Sequence, residues 1–303
     1  DSAVMQVTNP KLSTLCTLTG MFVLGVSDNL IVLVSEISSL WLFHTARSAV
    51  AMPLIIVLTL LGLGVFHAHR PLMVLARNFF TATALLIYFG CLALLPIGVV
   101  VAGLFTAPIF VLVFSVLFRG QQVGLWRWLA VGIGFCGALL VVWPEDGGLT
   151  WLSLFPIVAG VFYAIGAIGT RAWCEGEDAF VMAFAYFLIL GLYGAIGIAV
   201  LTLSPMDAAL GAEGWMQRGY VEPNLTVVLV VVAQAVGSII GVVLLTRGYQ
   251  LGEASYVAIN EYSLIVFASF FAWVMWGQTF GVIALIGIAM IIASGSIIAL
   301  RSK

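Results

Sequence analysis

The chain has 303 residues, of which 63% are hydrophobic and 8% are charged, and its formal charge is −2 at pH 7. An average soluble domain is about 45–50% apolar and about 25% charged. The composition therefore excludes a water-soluble enzyme, a disordered chain and a nucleic-acid binder, and it places most of the chain in a lipid bilayer. The remaining function classes are those open to a bundle of membrane helices.

Apolar runs bounded by Gly, Pro and charged residues predict an all-α membrane protein, because roughly 20 apolar residues cross the hydrocarbon. Ten transmembrane helices are predicted, at 12–34, 39–64, 73–94, 96–118, 125–143, 151–171, 179–203, 225–249, 252–275 and 280–300.

Basic residues predict the orientation of these spans. With the N-terminus inside, the inner ends carry nine of the eleven Lys and Arg residues: Lys11, Arg70, Arg77, Arg119, Arg127, Arg171, Arg247, Arg301 and Lys303. The reverse orientation would contradict the positive-inside rule. The sequence therefore predicts a multi-pass protein of a bacterial-type inner (plasma) membrane with both termini cytoplasmic.

The polar segment 144–150 divides the ten spans into two halves of five, 12–143 and 151–300. Because five is odd, the second half enters the membrane inverted relative to the first. The run 118–124 is similar to the run 275–281, and a Gly-rich last span follows each. Two inverted five-helix repeats around a site at the midplane are typical of secondary transporters.

Short motifs in the two halves carry a family resemblance. They are Ala93-Leu94-Leu95-Pro96 leading to Pro108-Ile109-Phe110, the Gly120-Gln121 turn, the Gly-rich helix from Gly132, and Leu251-Gly252-Glu253-Ala254-Ser255 leading to Glu261-Tyr262. On these features the chain resembles the drug/metabolite transporter superfamily, in its ten-helix branch with two EamA-type repeats. Among bacterial members it looks most like amino-acid and metabolite exporters of the YddG type, including aromatic amino-acid exporters. The resemblance implies alternating access to a central cavity between the two halves.

Charged side chains inside spans are functional candidates because each costs about 2.5–3.5 kcal/mol on insertion scales. Asp28 and Arg47 lie at similar depth on either side of the first outer turn. They either form a buried ion pair or bind the ammonium and the carboxylate of a substrate. His44 lies one turn before Arg47 and is either a packing residue or a proton carrier.

Glu261 lies about eight residues into span 9, with no basic residue near it in sequence. An unpaired carboxylate in apolar surroundings favours its protonated form, which a proton-coupled step needs. The alternative is an ion pair with Arg77 or Arg247. Pro108, at the repeat-related position in span 4, either loosens that helix for gating or is a benign kink.

Other polar and aromatic side chains within the spans complete the predicted substrate-binding set, either as cavity lining or as packing residues. They are Asn78, Tyr88, Tyr163, Gln234, Asn260 and Tyr262.

These features predict a secondary transporter that exports a small metabolite, most simply an aromatic or neutral amino acid, with protons as a candidate coupling ion. The alternatives are a transporter of nucleotide sugars, sugar phosphates or cationic drugs, a passive channel, and a membrane-embedded enzyme. Several Lys or Arg residues would be expected around a phosphorylated cargo. No P-loop, protease motif or metal-ligand spacing occurs in the sequence, so no catalytic residue, metal or cofactor is predicted.

The first prediction concerns Glu261. Substituting Glu261→Gln removes the titratable group, so we expect transport to lose its pH dependence. Flux measured across a pH series checks this, and an unchanged pH profile would contradict a proton-carrying role.

Overall fold

A computed structural model describes residues 9–91, 95, 97–119, 122–141 and 151–301. Within these residues the chain is all-helical. The α-helices are α1 (Pro10–Asp28), α2 (Val32–Ser35), α3 (Leu40–Leu60), α4 (Pro71–Cys91), α5 (Ile97–Leu104), α6 (Ala107–Arg119), α7 (Leu125–Val141), α8 (Leu154–Ala172), α9 (Ala179–Leu203), α10 (Leu225–Leu251), α11 (Ala254–Asn260), α12 (Ser263–Trp276) and α13 (Val282–Arg301).

Seven helical stretches are long and apolar enough to cross a membrane, and three shorter apolar helices accompany them. The longest are Ala179–Leu203, Pro10–Ser35 and Leu225–Leu251. The lengths and composition are those of a multi-pass membrane protein. The number of spans remains a prediction, and the 144–150 division, the Gly120-Gln121 turn and most of the 93–96 motif lie outside the described residues.

Three predicted spans are each divided in two by a tight turn, at 29–31, 105–106 and 261–262. The turns lie within the predicted spans, and Pro10–Ser35 and Ala254–Trp276 each remain one apolar stretch long enough to cross a membrane. Amide groups at each turn bond three residues back: Ile31 to Asp28 (3.2 Å), Ile109 to Thr106 (3.0 Å) and Leu264 to Glu261 (2.9 Å). Such 3-10 steps occur without a change in hydropathy, so the apolar pattern does not reveal them. Pro108 follows one of these turns and lies in the first turn of α6, where proline is tolerated.

Antiparallel helix pairs form the body of the protein. α1 lies against α10, and the Ser13 hydroxyl donates to the Gly248 carbonyl at one end (2.8 Å), while the Gln234 amide donates to the Ser27 carbonyl at the other. α3 packs on α9, α4 on α8 and α7 on α13. Small residues permit this close approach: a Cβ added at Gly20 would lie 3.2 Å from the Gly241 carbonyl oxygen.

Polar contacts hold the loops at both ends of the bundle. At the end where α1 begins, called the amino-terminal face, the Glu177 carboxylate accepts the backbone N–H groups of His69 (3.0 Å) and Arg70 (2.5 Å). At the opposite face, Arg218 donates to the carbonyls of Ser35 (2.6 Å) and Ser38 (2.7 Å). The long loop between α9 and α10 is thereby tied to the turn between α2 and α3.

The second prediction tests the α7–α13 packing. A Cβ at Gly137 would lie 2.7 Å from the Gly287 carbonyl oxygen, whereas a Cβ at Gly132, on the same helix, would contact nothing within 4 Å. We expect Gly137→Ala to lower the free energy of unfolding by about 1–3 kcal/mol through overpacking.

Gly132→Ala is the matched control, and its better helix propensity should raise stability by roughly 0.5–1 kcal/mol. Thermal unfolding of the two variants in detergent measures the difference. Equal shifts in Tm would contradict the close packing of α7 on α13.

Candidate functional site

A cavity of about 150 Å³ lies among the helices and is lined by residues from both halves of the chain. Its polar lining consists of Asp28, Arg47, Arg77, Thr81, Tyr88, Tyr163, Tyr186, Ser238, Thr246 and Glu261. Apolar side chains of α1, α4, α5, α6, α10 and α12 and of the 105–106 turn complete the wall. Two of the three tight turns thus contribute directly to the cavity, through Phe105 and Glu261.

Arg47 enters the cavity from α3 and is 4% exposed. Its Nη2 contacts His44 Nδ1 (3.2 Å), its Nη1 donates to the Ser238 hydroxyl (3.4 Å), and its guanidinium carbon lies 4.9 Å from the centre of the Phe43 ring. These neighbours are neutral or aromatic, so they fix the side chain without neutralising its charge.

Asp28 is the last residue of α1 and lines the same cavity. Asp28 is an exposed residue of the bundle although it lies deep in the predicted span. Arg47 is the basic residue whose charge acts on it, but the two side chains form no ion pair in the described structure. A buried lock between the first two spans, one of the two interpretations of the sequence, is therefore not what the structure shows.

Glu261 lies at the turn between α11 and α12 and is 8% exposed. The tyrosines Tyr163 and Tyr249 face its carboxylate, yet Oε1 has no hydrogen bond of regular geometry. Arg247 pairs instead with Asp178 (3.5 Å), so the predicted alternative of a Glu261–Arg247 pair is wrong. Arg77 acts on Glu261 through its charge but forms no ion pair with it.

Arg77 is the charged lining residue that the sequence did not predict as a site residue, although it was named as a possible partner of Glu261. It was expected at an inner helix end, but it is 4% exposed and lines the cavity. Its Nε donates to the Thr170 hydroxyl (2.8 Å) and its Nη1 to the Asn78 side-chain oxygen (2.7 Å). Its position six residues after Pro71 was the available signal, because that is more than one helical turn inside α4.

The predicted site residues separate into two layers. Those that line the cavity are Asp28, Arg47, Tyr88, Tyr163 and Glu261. Those that lie outside the lining are His44, Asn78, Gln234, Asn260 and Tyr262.

Residues of the second layer support the first. His44 and Asn78 contact the two arginines, as described above, and Gln234 accepts a hydrogen bond from Ser238 (3.3 Å). Tyr262 is fully buried, stacks on Phe105 with 5.8 Å between ring centres, and donates to the Phe105 carbonyl (3.3 Å). Tyr262 thus joins two of the tight turns.

Fold and cavity together define a multi-pass membrane protein with charged groups buried between its helices. No protein-family model matches the chain. Several curated relatives do, and all three described next are named as transporters rather than enzymes.

The chain is 26% identical over 251 residues to the pseudopaline exporter CntI of Pseudomonas aeruginosa, and the match covers 82% of each protein. It is 27% identical over 151 residues to the riboflavin transporter of Rhizobium johnstonii, a match that spans half the length of either protein. It is 22% identical to an S-adenosylmethionine uptake transporter of Rickettsia bellii, covering 72% of this chain and 68% of that protein.

A crystal structure of a protein 14% identical in sequence superposes with a TM-score of 0.75, covering 97% of this chain and 99% of that one. That likeness shows the fold. The names of the relatives suggest a drug/metabolite-transporter-like family and support a small-metabolite transporter.

The third prediction tests water access to the cavity. In a background without the native cysteines Cys16, Cys91, Cys136 and Cys174, we expect Asp28→Cys to react with a membrane-impermeant cationic thiosulfonate. Ser27→Cys is the matched control, because Ser27 is 5% exposed and a Cβ on Gly237 of α10 would contact its hydroxyl. Reaction at position 28 should be at least about tenfold faster, since accessibility and thiolate character govern the rate.

The rates are measured by mass spectrometry of the labelled protein. Equal rates at positions 27 and 28 would show that Asp28 does not face a water-accessible cavity. Among the native cysteines, Cys174 is a poor target for this reagent, because burial raises the pKa of its thiol to about 11.

Proposed function

We propose that the protein is a secondary transporter that moves a small zwitterionic metabolite across the membrane by alternating access. One observation carries the proposal: a single cavity presents two guanidinium groups and two carboxylates, and no ion pair joins them in the described structure. Charges left unpaired in a low-dielectric site are costly, so their retention favours a ligand that supplies the missing partners.

The balance of these charges favours a zwitterion over a phosphorylated cargo. Arg47 and Arg77 would attract a phosphate, but Asp28 and Glu261 would repel its negative charge. A purely apolar drug would desolvate all four groups without compensation. An amino-acid headgroup gives a carboxylate to Arg47 and an ammonium to Asp28, and the tyrosines and leucines of the wall suit an apolar or aromatic side chain.

Ten spans in two inverted repeats remain part of the proposal, and the helix packing supports them. The two halves are compared by exchanging span 1 with span 6, span 2 with span 7, and so on. The contact of α1 (span 1) with α10 (span 8) then corresponds to the contact of α8 (span 6) with α4 (span 3). The contacts of α12 with α1 and of α6 with α8 correspond in the same way, while α3 with α9 and α7 with α13 map onto themselves. Such a relation lets one half rock against the other.

Membership of the EamA-type branch and the likeness to YddG-type exporters are also proposals. The distribution of charge supports cytoplasmic termini in an inner membrane: Lys11, Arg127 and Arg247 lie at the amino-terminal face, whereas Arg218 lies at the opposite one. Among the relatives, one is named for uptake and one for export. We propose export, with the direction of net flux set by the gradients of cargo and coupling ion.

The fourth prediction is counterflow in proteoliposomes. Vesicles preloaded with unlabelled aromatic or neutral amino acids should accumulate the labelled compound transiently and saturably. Arg47→Gln should lower the apparent affinity by about tenfold or more, because it removes a charge-assisted hydrogen bond to the substrate carboxylate. Lys11→Gln is the control, since Lys11 is exposed at the first turn of α1 and far from the cavity.

Each alternative has its own outcome. Exchange of sugar phosphates or nucleotide sugars with no exchange of amino acids would contradict the zwitterionic substrate and retain a transporter. Non-saturable flux that shows no counterflow would favour a channel. Failure to exchange any of these solutes, in vesicles shown to contain folded protein, would contradict the proposal.

A further inference from the structure

The charged groups of the cavity form two clusters rather than one. The Arg47 cluster consists of Asp28, Arg47 and Ser238, and the Arg77 cluster consists of Arg77, Tyr163 and Glu261. Each cluster has one guanidinium and one carboxylate that act on each other without forming an ion pair. The proposed function accounts for one zwitterionic headgroup, which needs only one of them.

The spacing of lining residues along two helices shows how far the cavity extends. On α10, Ser238 and Thr246 are separated by eight residues, which is about 12 Å along a helix axis. On α4, Arg77 and Tyr88 are separated by 11 residues, or about 16 Å, and both line the cavity. The cavity is therefore elongated along these helices, with polar groups towards both ends.

Apolar residues lie between the two ends of the cavity on two of the lining helices, and we call them the apolar belt. Val242 and Leu245 lie between Ser238 and Thr246 on α10, and Leu85 lies between Thr81 and Tyr88 on α4. Side chains of this kind offer no hydrogen bonds to a ligand and suit a methylene chain. A ligand that reaches both clusters must cross this belt with its apolar part.

The hydrogen bonds of Arg77 within the described part of the protein leave one side of its guanidinium group without a partner. Its Nε and Nη1 donate to Thr170 and Asn78, whereas Nη2 has no hydrogen bond among the described residues. Asn78 in turn is held by its own helix, through a bond from its side-chain amide to the Val74 carbonyl (2.9 Å). The guanidinium is thus fixed on one side by neutral acceptors and open to a carboxylate on the other.

We propose that the substrate carries a charged headgroup at each end, joined by an apolar chain, with one headgroup at the Arg47 cluster and the second at the Arg77 cluster. At each end a carboxylate meets the guanidinium and an ammonium meets the acidic side chain. This inference rests on the proposed function and narrows its substrate class to two-headed amino-acid compounds. Arg77 is then the residue that distinguishes two-headed from one-headed substrates.

The experiment compares two ligands of matched chain length. The two-headed probe is 2,7-diaminosuberate, and the one-headed probe is 2-aminooctanoate, which lacks the second headgroup. Binding to the purified full chain is measured by isothermal titration calorimetry. We expect one molecule of the two-headed probe per chain, bound about tenfold or more tightly than the one-headed probe, because a second set of charge-assisted hydrogen bonds forms.

The Arg77→Gln variant should abolish this preference by lowering its affinity for 2,7-diaminosuberate to its affinity for 2-aminooctanoate, and Arg77→Lys should restore part of the preference. Lys11→Gln should change neither affinity. Because the wild-type comparison needs no variant, misfolding of Arg77→Gln would leave the inference testable.

Equal affinity of the wild-type protein for the two probes would overturn the inference. Binding of two molecules of 2-aminooctanoate per chain, each as tight as binding of one diaminosuberate, would also overturn it. Either result leaves the proposed transport of zwitterions intact. Counterflow separates the two failures, because absence of exchange for every amino acid would overturn the proposed function and this inference with it.

Discussion

Lipid offers no hydrogen bonds to the backbone, and the architecture follows from that constraint. Every buried peptide group must be satisfied within the protein, so the described chain crosses the apolar region as helices. At the three tight turns within the spans, backbone amides donate to the carbonyl three residues back instead of four, so hydrogen bonding continues through the turn. Asp28 borders the first of these turns, and Phe105 and Glu261 lie in the other two. The local backbone irregularity and the polar cavity therefore occur at the same places in the bundle.

The two arginines of this cavity are held in place by neutral side chains. The arginines are oriented by an imidazole, hydroxyls, a carboxamide and aromatic rings, and tyrosines face the carboxylate of Glu261. A carboxylate in direct contact with each arginine would have lowered the cost of burying the arginine. The same contact would have weakened the attraction of the arginine for a ligand. Neither arginine of the cavity has such a contact among the described residues.

The helices and the class of protein could be predicted because both follow from hydropathy, which is a property of long windows. The lining of the cavity could be predicted only in part. Asp28, Arg47 and Glu261 stood out as charges deep in apolar runs, whereas Arg77 resembled one of the basic residues near helix ends. His44 and Gln234 carried the right chemistry, but sequence spacing does not show which way a helix is rotated about its axis. Their place behind the lining emerges only from the packing.

The contact between Tyr262 and Phe105 couples two parts of the chain that are far apart in sequence. In a continuous helix the Ile109 amide would donate to the Phe105 carbonyl, but here it donates to the Thr106 carbonyl. The Phe105 carbonyl instead accepts a hydrogen bond from the Tyr262 hydroxyl. If α5 and α6 straightened, the carbonyl would return to its helical donor and the tyrosine would lose its acceptor. One acceptor is thus shared between two competing donors, so the shape of span 4 cannot change without altering the environment of the turn that carries Glu261.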